Sequence, residues 1–249
     1  MRPGGPAGAD GAPGSDAGGV AHAGGVAHAG GVAHAGGPPL DAPPAPGGLA
    51  LPEPLWRAVR AAHGEPGRAY HNLDHVREVL ARMDEVGRDI GWRSPREVFL
   101  AALFHDAVYA AGRHDNEARS AALAREAVAR WLSGEGIDAD LVARLILLTA
   151  RHGALGPADV GEDEALFLDC DMAILGSDAA AFDAYDRGIA EEYGALPPEA
   201  YAAGRRRFFE RLLAAEHIFL SPYFRGRLEG RARENLRRKL AEAPAGGGV

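Results

Sequence analysis

Ser94-Pro95-Arg96-Glu97-Val98-Phe99-Leu100-Ala101-Ala102-Leu103-Phe104-His105-Asp106-Ala107-Val108-Tyr109 is the stretch that decides the fold class of this chain. Ser94, followed by Pro95 and Glu97, predicts a capping-box helix start with proline at the first helical position. Phe99, Ala102, Leu103, Asp106 and Ala110 then share one stripe at helical spacing. The helix is therefore expected to run through Asp106 and to aim that carboxylate at the core. An ionised carboxylate in a core is costly unless it is paired or bound to a metal. His105 beside it offers a second ligand of borderline softness.

The same helical period recurs outward from this segment. Helices are expected over about 54–62, 72–86, 116–132, 138–152 and 163–175, with more near 179–193, 198–215 and 226–240. Leu73, Val76, Val79, Leu80 and Met83 mark the apolar face of the second helix. Leu141, Leu145, Leu148 and His152 mark that of the fifth. Alternating strand patterns are absent, and Gly and Pro fall between the elements. The expected fold is all-α, a single helical bundle over 49–242 with helix packed on helix. Residues 1–48 are a different material, dominated by Gly, Ala and Pro, with Gly-Gly-Val-Ala-His-Ala repeated from Gly18 to Ala35. Such a segment buries too little apolar surface to offset its ordering entropy, and a disordered tail is predicted. Its His22, His28 and His34 offer at most a loose metal binder. Residues 243–249 are expected to be loose as well.

With 249 residues and 47% hydrophobic side chains, the chain has room for one or two domains with a real core. The formal net charge of -8 gives no global case for nucleic-acid binding. The arginine-rich stretches 205–211 and 225–238 are interrupted by Glu210, Glu229 and Glu234, and read as solvated faces. A single cysteine, Cys170, excludes an intrachain disulfide framework and a multi-cysteine zinc site. No run approaches the ~18 apolar residues of a membrane span, and the N-terminus lacks the apolar segment of a signal peptide. The expected location is the cytoplasm, with no membrane partner.

Three further segments place metal-competent groups at unusual positions. Tyr70-His71-Asn72-Leu73-Asp74-His75 opens the second helix, with His71 and His75 four apart on the same side of its first turn. Thr149 and His152 end the apolar stripe of the fifth helix. In the sixth, Leu168, Asp171 and Leu175 share one face, so Asp171 also points inward, while Asp169 lies toward another face. Two inward aspartates repel each other unless a cation is shared. Two imidazoles and two carboxylates suit Mn, Fe, Co or Zn and leave coordination positions for water. His63 and His217 have no partner pattern and read as structural or exposed. Tyr185 and Tyr193 read as packing residues.

The order His75, then His105-Asp106, then Asp171 resembles the HD superfamily of metal-dependent phosphohydrolases. One bacterial branch, the predicted metal-dependent HD phosphohydrolases, is similar over more of the chain. That similarity rests on Tyr70-His71-Asn72 with His75, Phe104-His105-Asp106 with Val108-Tyr109, and Asp115-Asn116-Glu117 with Ser120. It extends to Thr149 with His152, Asp169-Cys170-Asp171 with Ile174-Leu175-Gly176, and the late Ala232-Arg233-Glu234-Asn235-Leu236.

Carried over position by position, the resemblance implies His75, His105, Asp106 and Asp171 as ligands of one divalent ion (Mn, Fe, Co, Mg or Zn). Asp169 is a rival for the fourth place, and the inward facing of Asp171 favours Asp171. His71 and His152 are expected behind the ligands or on the substrate phosphate. A bound divalent cation lowers the pKa of its water towards neutrality. Asp115, Glu117 and His152 are candidate proton acceptors for that water. Arg113 and Arg151 are the nearest cations in sequence for a negative substrate, and Arg205, Arg206 and Arg207 could contribute from a later helix. The plainer reading of Asp115 and Asn116 is that they cap the fourth helix. The implied activity is hydrolysis of a small phosphorylated molecule such as a nucleotide. The alternative is a metal-containing domain that senses such a ligand without turnover.

Overall fold

The structure, a computed structural model, describes residues 41–242. Among these there are nine α-helices and no strand, so the all-α expectation holds. They are α1 (Glu53–His63), α2 (Leu73–Asp89), α3 (Pro95–Phe104), α4 (Asn116–Trp131), α5 (Ala139–Thr149), α6 (Glu162–Met172), α7 (Ala179–Glu192), α8 (Pro198–Ala214) and α9 (Pro222–Glu242). Short 3-10 turns occupy Pro46–Gly48, Pro157–Asp159 and Ala173–Gly176. No helix among the described residues is long and apolar enough to cross a membrane. The expected disorder of 1–40 and the expected loose end of 243–249 lie outside the described residues. Within 41–48, the turn Pro46–Gly48 packs against α3, and Leu49 beyond it is buried. Residues 41–48, which the composition assigned to the tail, therefore pack on the bundle.

α3 is the central element. Every residue from Val98 to Phe104 is buried, and α2, α4, α5 and α6 all pack against it. A helix apolar on all sides is stable only in such a position. The expected stripe through Asp106 and Ala110 is corrected here, because α3 ends at Phe104. His105 N–H still bonds Ala101 O, but Ala107 N–H turns back to Phe104 O. Asp106 is thus delivered by the turn that closes the helix. The Ser94 capping box is also corrected: the Ser94 side chain caps nothing. The Asp163 carboxylate of α6 accepts from Ser94 N–H at 2.8 Å, and Glu97 accepts from Asp138 N–H at 3.2 Å. Both local signals were spent on contacts between elements.

Other helix starts follow local rules. The Asn72 side chain accepts from Asp74 N–H, Asp138 from Asp140 and Leu141 N–H, and Asp178 from Ala181 N–H. Asn72 matters most, because it fixes where α2 begins and hence where His75 stands in its first turn. The 3-10 turn Ala173–Gly176 packs against α9. Gly176 makes that approach feasible, since a Cβ there would lie 2.6 Å from Leu228 Cβ.

Candidate metal centre and cleft

Three elements bring their metal-competent groups to one point. α2 supplies His75, the turn after α3 supplies His105 and Asp106, and the last turn of α6 supplies Asp171. His75, His105 and Asp106 each offer a ligand atom, all within 4.8 Å of one another, and this group could hold a metal ion. The two imidazole Nε2 atoms lie 3.0 Å apart. Asp106 Oδ2 is 3.6 Å from His75 Nε2 and 3.1 Å from His105 Nε2. Asp171 Oδ1 is 3.1 Å and 3.5 Å from the same two nitrogens, so it joins the group through the imidazoles. Metal bonds of about 2.0–2.2 Å put neighbouring ligand atoms about 3.0–3.5 Å apart, which is the spacing found here.

The chemistry of the donors fits a cation. His105 Nδ1–H donates to Ala102 O at 2.9 Å. In the neutral ring this leaves the Nε2 lone pair facing a second imidazole and two carboxylates. Two imidazole Nε2 atoms and two carboxylates that face one another are satisfied by protons shared between them or by a metal. Burial works to lower the His105 imidazole, but the Asp106 and Asp171 carboxylates outweigh it and hold it well above its ordinary value. Burial likewise pushes the Asp106 carboxyl up, and His105, His71 and His75 more than reverse it. The Nδ1 of His75 is buried without a partner among the described residues, so this imidazole lacks the backing acceptor that metal-binding imidazoles usually have.

The two aspartates of α6 stand in different surroundings. Asp169 is fully buried, and its oxygens accept from Leu220 and Ser221 N–H at 2.7 Å each, at the entry to α9. Burial pushes its carboxyl up to about 7. Asp171 instead lies against His75, His105 and His152.

Five residues hold this site in place: Asn116, Ser120 and Asn235, which the sequence reading named only in the resemblance or as a helix cap, and Arg68 and Glu192, which it did not single out. Arg68, nearly sealed from solvent, donates to the carbonyls of His71, Asp106 and Ala107. It thus ties the start of α2 to the turn after α3. Ser120 and Asn116 of α4 grip the rest of that turn: Ser120 Oγ bonds both Val108 N–H and Val108 O. The Asn116 amide does the same to Ala110. Asn235 of α9 donates to Leu175 O and Ser177 O, fixing the turn behind Asp171. Glu192, at the end of α7, accepts from Tyr70 N–H (2.7 Å), His71 N–H (2.8 Å), His71 Nδ1–H (2.6 Å) and the Tyr109 hydroxyl (2.9 Å).

Beside the metal-competent group lies a cleft of about 620 Å³, lined among others by Asp106, Asp171, His71, His152 and Glu117. His71 is oriented by Glu192, which leaves its Nε2 as the ring nitrogen open to exchange. Burial lowers the His71 imidazole, and Asp106 and Glu192 outweigh that, so it sits above its ordinary value. His152 Nε2–H donates to Asp171 Oδ2 at 2.8 Å, and α5 ends before it at Thr149. Glu117 reaches the cleft, while Asp115 is drawn into two 2.7 Å bonds with Arg113 and does not cap α4 with its side chain. Arg113 lines the cleft rim. Arg151, Arg206 and Arg207 are exposed and do not line it, whereas Arg205 does. Tyr185 and Tyr193, read as packing residues, are part of the cleft wall.

No family model, no curated protein and no solved structure matches this chain.

Proposed function

We propose that this chain is a metal-dependent phosphohydrolase of the HD type, acting on a small phosphorylated molecule. The observation that carries the reading is the meeting of His75, His105, Asp106 and Asp171 beside a cleft of about 620 Å³. That volume falls within the usual range for small-molecule sites. These four residues would hold one divalent cation. When bound, such an ion acidifies a water towards neutral pH and offsets charge on phosphoryl oxygens.

The remaining roles belong to side chains of the cleft. His71, with Nδ1–H given to Glu192, presents Nε2 as a proton donor for the departing oxygen. Tyr109 and the backbone of 70–71 keep Glu192 in place for that task. His152 spends its Nε2–H on Asp171 Oδ2 and so turns Oδ1 towards the imidazoles; it is a positioning residue. Glu117 makes no ion pair or hydrogen bond with the described residues, and this supports it as proton acceptor for the attacking water.

The test is metal analysis of purified protein, followed by phosphate release from a nucleotide panel with and without Mn²⁺. We expect about one bound ion per chain and Mn²⁺-dependent release. Asp106→Ala should abolish both. Activity at wild-type level in that variant would show the site to be misassigned. Bound metal with no release from any substrate would favour a sensing domain.

A further inference from the structure

Two buried donors in the cleft wall lack an acceptor. The Tyr70 hydroxyl and Arg205 Nη2 are buried and make no hydrogen bond with the described residues, and both residues line the cleft. Tyr185 stands between them. Its ring centre is 4.8 Å from that of Tyr70 and 4.8 Å from the Arg205 guanidinium carbon. Tyr70 in turn lies 4.8 Å from the His75 ring. One continuous wall thus runs from the candidate metal centre through Tyr70 and Tyr185 to Arg205.

Arg205 differs from the other arginines of the cleft. Arg113 gives its guanidinium to Asp115 in two bonds. Arg211 is exposed, above the Phe208 ring. The Arg205 side chain is only 13% exposed. Phe209 and Tyr185 hold it at 4.4 and 4.8 Å, the Tyr185 side chain is also a hydrogen-bond partner, and Nε donates to Asp186 at 3.0 Å. Lys239 reaches Asp186 at 3.5 Å but pairs more closely with Asp183 at 2.9 Å and Glu242 at 3.3 Å, so Asp186 is left mainly to Arg205, and the rest of the guanidinium fork has no carboxylate among the described residues. A fixed planar fork of always-charged donors is suited to phosphate oxygens, and a tyrosine hydroxyl adds a neutral donor.

We propose that Arg205 and Tyr70 form an anion subsite along this wall, and that the substrate is a phosphate ester carrying a second phosphate group that docks there. The proposal rests on the hydrolase reading for which phosphate is cleaved, but not for the binding of the other. The test uses the full-length, Mn²⁺-loaded protein with fructose 1,6-bisphosphate and fructose 6-phosphate as a matched pair. The bisphosphate should be favoured in kcat/KM by at least about tenfold, roughly the worth of one charged hydrogen bond. The preference should lie in KM. Arg205→Lys should remove most of it. Tyr70→Phe, which deletes only an unpartnered oxygen and keeps the ring packing, should reduce it. In parallel, metal-free protein is titrated calorimetrically with the bisphosphate, and Arg205→Lys should weaken binding about tenfold.

Equal kcat/KM for the pair, unmoved by either substitution, would overturn the subsite while leaving the hydrolase reading intact. Arg205-dependent binding without phosphate release would uphold the subsite and count against hydrolysis. Neither preference nor Arg205-dependent binding would end the proposal.

Discussion

At the scale of single residues, the polar groups of the core fall into two kinds. His75, His105 and Asp106 are gathered at one point and fit a cation. His63 stands apart from them, fully buried, with its Nε2–H given to Leu103 O at 3.0 Å. Burial depresses its imidazole from 6.5 to about 4. A folded-state value below the unfolded one means that the fold favours the neutral ring. The resulting stability is complete above pH 6.5 and is lost as the pH falls through 4. The whole window is worth about 3 kcal/mol, and about 2 kcal/mol of it is lost between pH 7 and pH 5. His63→Gln keeps an amide donor for Leu103 and cannot titrate. Urea unfolding of both proteins at pH 7 and pH 5 should show the wild type losing about 2 kcal/mol more than the variant. Parallel losses would show that His63 ionises as freely in the fold as outside it. Other acid-sensitive groups, the carboxylates near the metal centre included, cancel in that difference.

At the scale of elements, the site depends on two ends: the start of α2 and the turn after α3. Arg68 joins them with bonds to three carbonyls, one of the first and two of the second. Arg68→Ala strands those carbonyls in a nearly closed space. It should destabilise the fold by about 2–4 kcal/mol and weaken metal affinity by about ten- to a hundredfold, as loss of ligand support does elsewhere. Chemical denaturation and a competitive metal titration measure the two effects separately. A variant with lowered stability and unchanged metal affinity would show that Arg68 supports the bundle and not the site. The sequence disclosed the start of α2 because its signal is local: Asn72 caps the helix two residues before Asp74. It pointed to Asp106 and Asp171 because each is a carboxylate on a stripe expected to be apolar, and to His75 and His105 through spacing and adjacency, while the set of four came from the resemblance. It misled at Ser94 and Asp106, where the deciding partners, Asp163, Ser120 and Asn116, come from other helices. Arg68 and Glu192 left no readable trace. Their partners stand up to 39 and 122 residues away, and a lone arginine in a loop or glutamate at a helix end ordinarily reads as solvated surface.

At the scale of the whole molecule, the candidate ligands come from α2, the turn after α3, and the end of α6. The chain between the first and the last runs through α4 and α5, so an ion held by all four ties together segments that an unfolded chain keeps apart. Binding confined to the folded state must raise its stability, by about 2.7 kcal/mol when free metal is a hundredfold above its Kd. For a domain of this size each kcal/mol moves Tm by about 2–4 °C, so Mn²⁺ should raise Tm by about 5–10 °C over protein in chelator. Calorimetric melts at several Mn²⁺ concentrations check this, because a linked ion makes Tm climb with the logarithm of its concentration. Asp106→Ala should melt at one temperature throughout. The central position of α3 sharpens the expectation. His105 and Asp106 sit at the end of the helix that four others enclose, so metal and core are predicted to be lost in one transition. A wild-type Tm indifferent to both chelator and Mn²⁺ would mean that the imidazoles and carboxylates meet only to share protons, and the metal-dependent reading would fail with it.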